Sequence, residues 1–215
     1  VANGLRVRAS SNNEWRLLYE DQNISTLLAN TGDGWILGAY EGVIFIHENG
    51  DFAKMAFPTT GAVQDMRQVG DSLWITFETA PLAQVPADGV LIWHFESPMN
   101  HPWASTRALA SPNPSEVWVG YAQNPGGGVL GVDRLRLKNH TRNFGFVDTP
   151  QKIIAHSSGR GEILGLARSY RASPLGTFTW HGRKQTLASV RSSDGTIWSA
   201  QGNHGLGRNH IRYQE

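Results

Sequence analysis

The sequence predicts an all-β fold assembled from repeated four-stranded sheets, and three observations carry that expectation. The 215 residues include 24 glycines, 10 prolines and 8 tryptophans but only 17% charged residues, a composition that favours short strands and tight turns over solvated helices. An acidic turn followed by an apolar anchor recurs in "GDGWILGAY", "GDSLWITFE", "PSEVWVGYA", "RGEILGLAR" and "SDGTIWSAQ", centred on Trp35, Trp74, Trp118, Leu164 and Trp198. The anchors lie roughly 40 residues apart, the length of one four-stranded propeller blade.

In chain order, "GLRVRASSNNEWRLLYEDQNIST" reads as a third strand, a turn and a fourth strand ahead of the first repeat. First strands are then expected at 24–29, 63–69, 106–110, 152–156 and 186–191, each followed by the acidic turn and the anchor strand. Third strands follow in "GVIFIHE", "GVLIWHFE", "GVLGVDRLRL", "GTFTWH" and "NHIRYQ". A chain that begins late in one blade and ends inside another closes a ring by lending its N-terminal strand, here 14–19, to the last blade, which removes exposed edges. Residues 1–215 thus read as a single β-propeller domain of five blades, or six if the spare strand 4–8 belongs to another.

Strand side chains alternate, so Trp35 and Leu37 face one way and Ile36 the other. Apolar residues on both faces belong to a strand buried on both sides, with the tryptophan as a packing wedge. Asp33, Asp71 and Asp194, with Glu116 and Glu162 by analogy, are expected in the preceding turn, accepting backbone N–H bonds.

These phrases resemble the repeats of two-component-regulator propellers and, more distantly, small propeller lectins. Asp194-Gly195-Thr196-Ile197-Trp198 carries the likeness, as does Asp33-Gly34-Trp35-Ile36-Leu37-Gly38 with Gly42-Val43-Ile44-Phe45 after it. The fourth copy departs, with Leu164 in place of tryptophan, and the second has Thr76 where glycine is usual. The resemblance implies an extracytoplasmic ligand-sensing or binding module.

Several function classes are disfavoured. A formal net charge of +1 provides no broad basic field for nucleic acid. The absence of cysteine removes disulfides and thiol chemistry. No apolar run approaches the roughly 18 residues of a membrane span, so membrane insertion is not expected. A chain opening on Val1 fits a removed export signal and an extracytoplasmic location. The glycine run 126–131 matches a dinucleotide fingerprint in letters only, because it leads into an alternating strand instead of a helix. No cofactor is expected.

Binding is expected where the second and third strands join, on the face that gathers the loops around the channel. Those positions carry Tyr40 and Glu41; Glu78; Tyr121 and Gln123; Arg168, Tyr170 and Arg171; and Gln201 and His204. Aromatics beside amides and charges suit a small polar ligand, a glycan or a partner protein, since a stacking face needs a few polar groups to fix orientation. Arg168, Tyr170 and Arg171 form the sharpest subset, fit either for a carboxylate or phosphate or for pairing with neighbouring acids. Asp65 and Arg107 start inner strands, where structural pairing is the default. Two other functions stay open: a metal-dependent, lactonase-like hydrolase drawing on Asp65 and Glu78, and a structural scaffold in a larger assembly.

Overall fold

The alternating apolar pattern becomes a succession of antiparallel sheets in the computed structural model, which describes residues 4–8, 14–21, 23–28, 34–95, 105–122, 130–136, 140–141, 150–165, 169–172, 178–182, 186–191, 196–201 and 205–210. A two-stranded sheet, β1 (Gly4–Arg8) and β2 (Trp15–Glu20), comes first. Sheet one follows as β3 (Ile24–Leu28), β4 (Gly34–Ala39), β5 (Gly42–His47) and β6 (Phe52–Ala56). Sheet two is β7 (Val63–Val69), β8 (Ser72–Phe77), β9 (Leu82–Val85) and β10 (Ile92–His94). Sheet three holds β11 (Ser105–Asn113), β12 (Glu116–Ala122), β13 (Leu130–Arg136) and β14 (His140–Thr141). Sheet four holds β15 (Pro150–Ala155), β16 (Gly161–Gly165), β17 (Ser169–Ala172) and β18 (Phe178–Gly182). Sheet five has β19 (Thr186–Arg191), β20 (Thr196–Gln201) and β21 (Gly205–His210). Each is a meander whose neighbours in sequence are neighbours in the sheet.

The strongest sign of repetition is a defect. In all five sheets the first strand slips register against the second at the same place, between Ile24 and Thr26, Val63 and Asp65, Thr106 and Ala108, Pro150 and Lys152, and Thr186 and Ala188. Such a bulge adds one residue and increases the local twist. Aligned on the slip, the residues that pair with Leu28, Arg67, Ala110, Ile154 and Val190 form one row: Ile36, Trp74, Trp118, Glu162 and Trp198.

That row corrects two of the expected anchors. Trp35 lies one position off it and Leu164 two positions beyond. Ile36, Trp74 and Trp118 point toward the following sheet. Ile36 packs with Met66, Ile75 and Phe77 of sheet two. Trp74 packs with Leu109, Val117 and Val119 of sheet three, and Trp118 with Ile153 and Ile163 of sheet four. Trp35 instead faces backward, into a cluster with Leu5, Val7, Leu18 and Tyr19 of the N-terminal pair. Burying a wedge such as Trp118, 0% exposed, is worth on the order of 4 to 6 kcal/mol of transfer free energy. The ring needs a glycine opposite it, because a Cβ on Gly161 would stand 2.7 Å from Trp118 Cζ3.

The N-terminal segment differs from the expected closing strand. β2 pairs with β1, from Gly4 opposite Glu20 to Arg8 opposite Trp15, and sheet five is three-stranded among the described residues. The pair packs on sheet one as a half sheet, held by its apolar face and by Arg16 Nη2, which donates to the Glu48 carbonyl at 2.7 Å. The spare strand 4–8 thereby finds its partner.

The turn acids also divide. Asp71 sits exposed in a turn after Gly70, whose φ of 56° favours glycine. Glu116 and Glu162 are instead strand residues, buried at 7% and 5% exposure. Glu116 Oε1 accepts a 2.7 Å bond from the Trp118 indole, not from a backbone N–H. Asp33 and Asp194 lie outside the described residues.

Candidate functional site

Where sheets one and two meet, backbone bonds cross the seam and set four residues in a row. Tyr40 N–H donates to the Asn23 carbonyl at 3.0 Å, Tyr40 forms an antiparallel bridge with Ala62, and Glu78 N–H donates to the Ala62 carbonyl at 2.9 Å. Directly opposed residues in antiparallel strands project on one face. Tyr40 and Glu78 therefore flank Ala62, roughly 10 Å apart at two strand spacings. Tyr40 is 54% exposed, and Asn23 and Glu78 are exposed too. Neither the Tyr40 hydroxyl nor the Glu78 carboxylate has a hydrogen bond or ion pair among the described residues. The row presents an exposed aromatic and an exposed acid on either side of a small apolar residue, a candidate slot.

Glu41 holds this slot in shape. Its N–H donates to the Gly61 carbonyl at 2.9 Å, its carbonyl accepts Phe57 N–H at 2.8 Å, and its Oε1 accepts Thr59 N–H at 3.0 Å. Glu41 (φ 53°) and Thr59 (φ 68°) are the non-glycine residues in the left-handed region among those described. For a β-branched residue such as Thr59 that conformation is a strained one, costing about 1 to 3 kcal/mol unless its surroundings impose it. The Glu41 carboxylate, the Thr60 hydroxyl bond to Phe57 O (2.7 Å) and the Thr79 N–H bond to Thr60 O (3.2 Å) impose it.

The structure thus brings Tyr40, Glu41 and Glu78 together, with Glu41 in a positioning role. Tyr121 is placed differently: it belongs to β12, is 1% exposed and packs with Val69, Trp74 and Leu82. Register explains the difference, since Tyr121 pairs across its bulge as Phe77 does, one step below Glu78. Arg171 lies on β17 directly opposite Glu162, with Nε 3.7 Å from Oε1, a charge contact longer than a hydrogen bond. Burial pushes the Glu162 carboxyl above the usual carboxylate range, and Arg171 only partly draws it back. Tyr170 falls in β17 and Gln201 ends β20. Gln123, Arg168 and His204 lie outside the described residues.

Of the two inner-strand residues, Asp65 is paired as expected. Its Oδ1 accepts Met66 N–H at 3.0 Å, its Oδ2 accepts Leu109 N–H at 2.9 Å, and Lys152 Nζ stands 3.9 Å away. Arg107 departs from expectation, with no hydrogen bond or ion pair among the described residues. Asp65 and Glu78 are not joined by a third acid or histidine in a metal-binding group among the described residues. Sequence reasoning missed Asn23, Ala62 and Thr59, whose roles rest on backbone bonds between distant segments.

No family model matches the chain, and no curated protein does. Solved structures do. The extracellular domain of a protein assigned as a one-component system of B. thetaiotaomicron superposes with a TM-score of 0.75 at 12% identity, over 99% of this chain and 31% of that one. The extracellular domain of a protein assigned as a hybrid two-component system from the same organism gives 0.65 at 13%, over 94% and 32%. A gluconolactonase of Xanthomonas campestris gives 0.63 at 12%, over 91% and 75%. These likenesses establish the fold, a β-propeller of antiparallel four-stranded blades. The chain spans about a third of the length of the two extracellular domains. Among the described residues no helix is long and apolar enough to cross a membrane.

Proposed function

We propose that this propeller is a non-enzymatic, extracytoplasmic recognition module that binds a small polar ligand, a glycan or a partner protein at the mouth where its blades meet. The observation that carries this reading is the row Tyr40, Ala62 and Glu78, an exposed aromatic and an unpaired carboxylate facing each other across an alanine. Maintaining two left-handed residues beside it costs stability, which is the pattern of sites shaped for recognition. The likeness to extracellular domains of one- and two-component systems supports the extracytoplasmic location and the binding role.

Calorimetric titration against a panel of neutral sugars, sugar acids and small polar metabolites tests the proposal. Tyr40→Ala and Glu78→Gln are expected to weaken the binding of any member that engages the wild type by about tenfold, the loss of one stacking face or one charged hydrogen bond. Unchanged affinity in folded variants would remove the slot from consideration.

A further inference from the structure

The first strands stand nearest the axis, since they bond to one another across the seams. Ser25 Oγ donates to the Val63 carbonyl at 2.7 Å, Asp65 Oδ2 accepts Leu109 N–H, and Lys152 of sheet four reaches Asp65 of sheet two past the buried Ala108. The axis is therefore narrow at this level. The residues added by the five bulges are Ser25, Gln64, Arg107, Gln151 and Leu187, all but the last polar. Gln64 and Arg107 keep contact with solvent while Val63, Thr106 and Ala108 beside them are buried, as expected if the bulge re-aims its extra side chain.

Charge along these strands is one-sided. The five first strands contain Arg67, Arg107, Lys152 and Arg191 against a single acid, Asp65, in a chain whose formal net charge is only +1. Asp65 is already engaged by two backbone N–H groups and by Lys152. Arg107 is left without a counter-ion among the described residues, its Nε buried and without a hydrogen bond. Uncompensated positive charge from Arg107 and Lys152 beside a narrow axis draws in an anion.

We propose that the bulge residues Gln64 and Arg107, with Lys152, form an oxyanion site taking the carboxylate or phosphate group of a small ligand. Arg107 supplies the fork of N–H donors, Lys152 supplies the second positive charge by turning from its loose 3.9 Å contact with Asp65, and the Gln64 amide completes the polar wall. This site lies on the first strands and does not depend on the Tyr40 slot.

The test is calorimetric titration of the intact protein with inorganic phosphate and with acetate, each against a chloride background at low and at raised ionic strength. Binding of at least one probe, weakened by salt, is expected. Preference for phosphate points to a phosphorylated ligand and preference for acetate to a carboxylic acid. Arg107→Gln is expected to weaken binding by about tenfold or more, Arg107→Lys by less because charge survives without the fork, and Lys152→Gln by several-fold. Tyr40→Ala should leave it unchanged, which separates this site from the slot. Thermal unfolding confirms that each variant is folded, and Lys152→Gln carries the test if the arginine variants are not. No binding of either probe beyond that of chloride, or equal binding in the folded variants and the wild type, overturns the proposal.

Discussion

Sheets three and four fill the same position in opposite ways. In sheet three the row residue is Trp118, wholly buried, with its indole N–H on Glu116 and its ring over Gly161 of the next sheet. In sheet four the row residue is Glu162, a carboxylate at 5% exposure whose Oε1 has no hydrogen bond and whose nearest charge is Arg171 at 3.7 Å. Aligned buried surface stabilises the first arrangement. The second is tolerated because the opposing strand supplies a cation, and it leaves a desolvated acid where sheet three has a wedge. The repeat therefore conserves a packing geometry and not a residue type.

Breaking the sheet-three arrangement should have the largest effect. Trp118→Ala removes the wedge and its indole bond to Glu116, with an expected loss of about 3 to 5 kcal/mol in urea unfolding. Gly161→Ala attacks the same contact from the other side. Its Cβ would meet Trp118 Cζ3 at 2.7 Å and the Ile154 carbonyl at 2.5 Å, so a loss of about 1 to 3 kcal/mol is expected by the same measurement. Arg171→Ala sharpens the contrast, because it removes the charge facing Glu162. Arg171 is 43% exposed and its charge is screened by solvent, so the expected loss at neutral pH is about 1 kcal/mol, shrinking as the pH is lowered and Glu162 takes a proton. Tyr40→Ala, at the exposed mouth, should change stability by less than about 0.5 kcal/mol.

The sequence disclosed the scaffold better than the site, for reasons visible in particular residues. The first strands at Val63–Val69 and Thr186–Arg191 were legible with their bounds, because alternation and turn residues are local signals. Trp35 and Leu164 misled because each fits the apolar pattern, while the bulge that sets the true row leaves no mark on side-chain periodicity. Glu116 and Glu162 looked like turn acids by analogy with Asp71, although one serves an indole and the other replaces one. In the proposed slot, Tyr40 and Glu78 were read from residue type and position. Ala62 and Asn23 were not, since they matter through backbone bonds to strands far away in the chain, and nothing in a small residue advertises such a bond.

The contrast between the two sheets depends on Glu162 being a desolvated acid in the folded state. Its folded pKa is raised above that of the unfolded chain, so its contribution favours folding below the unfolded value and is lost as pH rises through the folded value. Urea unfolding of the wild type and of Glu162→Gln, followed from neutral pH down into the ordinary carboxylate range, measures this directly. At neutral pH the variant is expected to match the wild type or exceed it by about 1 kcal/mol, and on acidification the wild type should gain on it as Glu162 is protonated. Parallel stability profiles across that range, or a wild type that loses ground to the variant as the pH falls, would contradict the account.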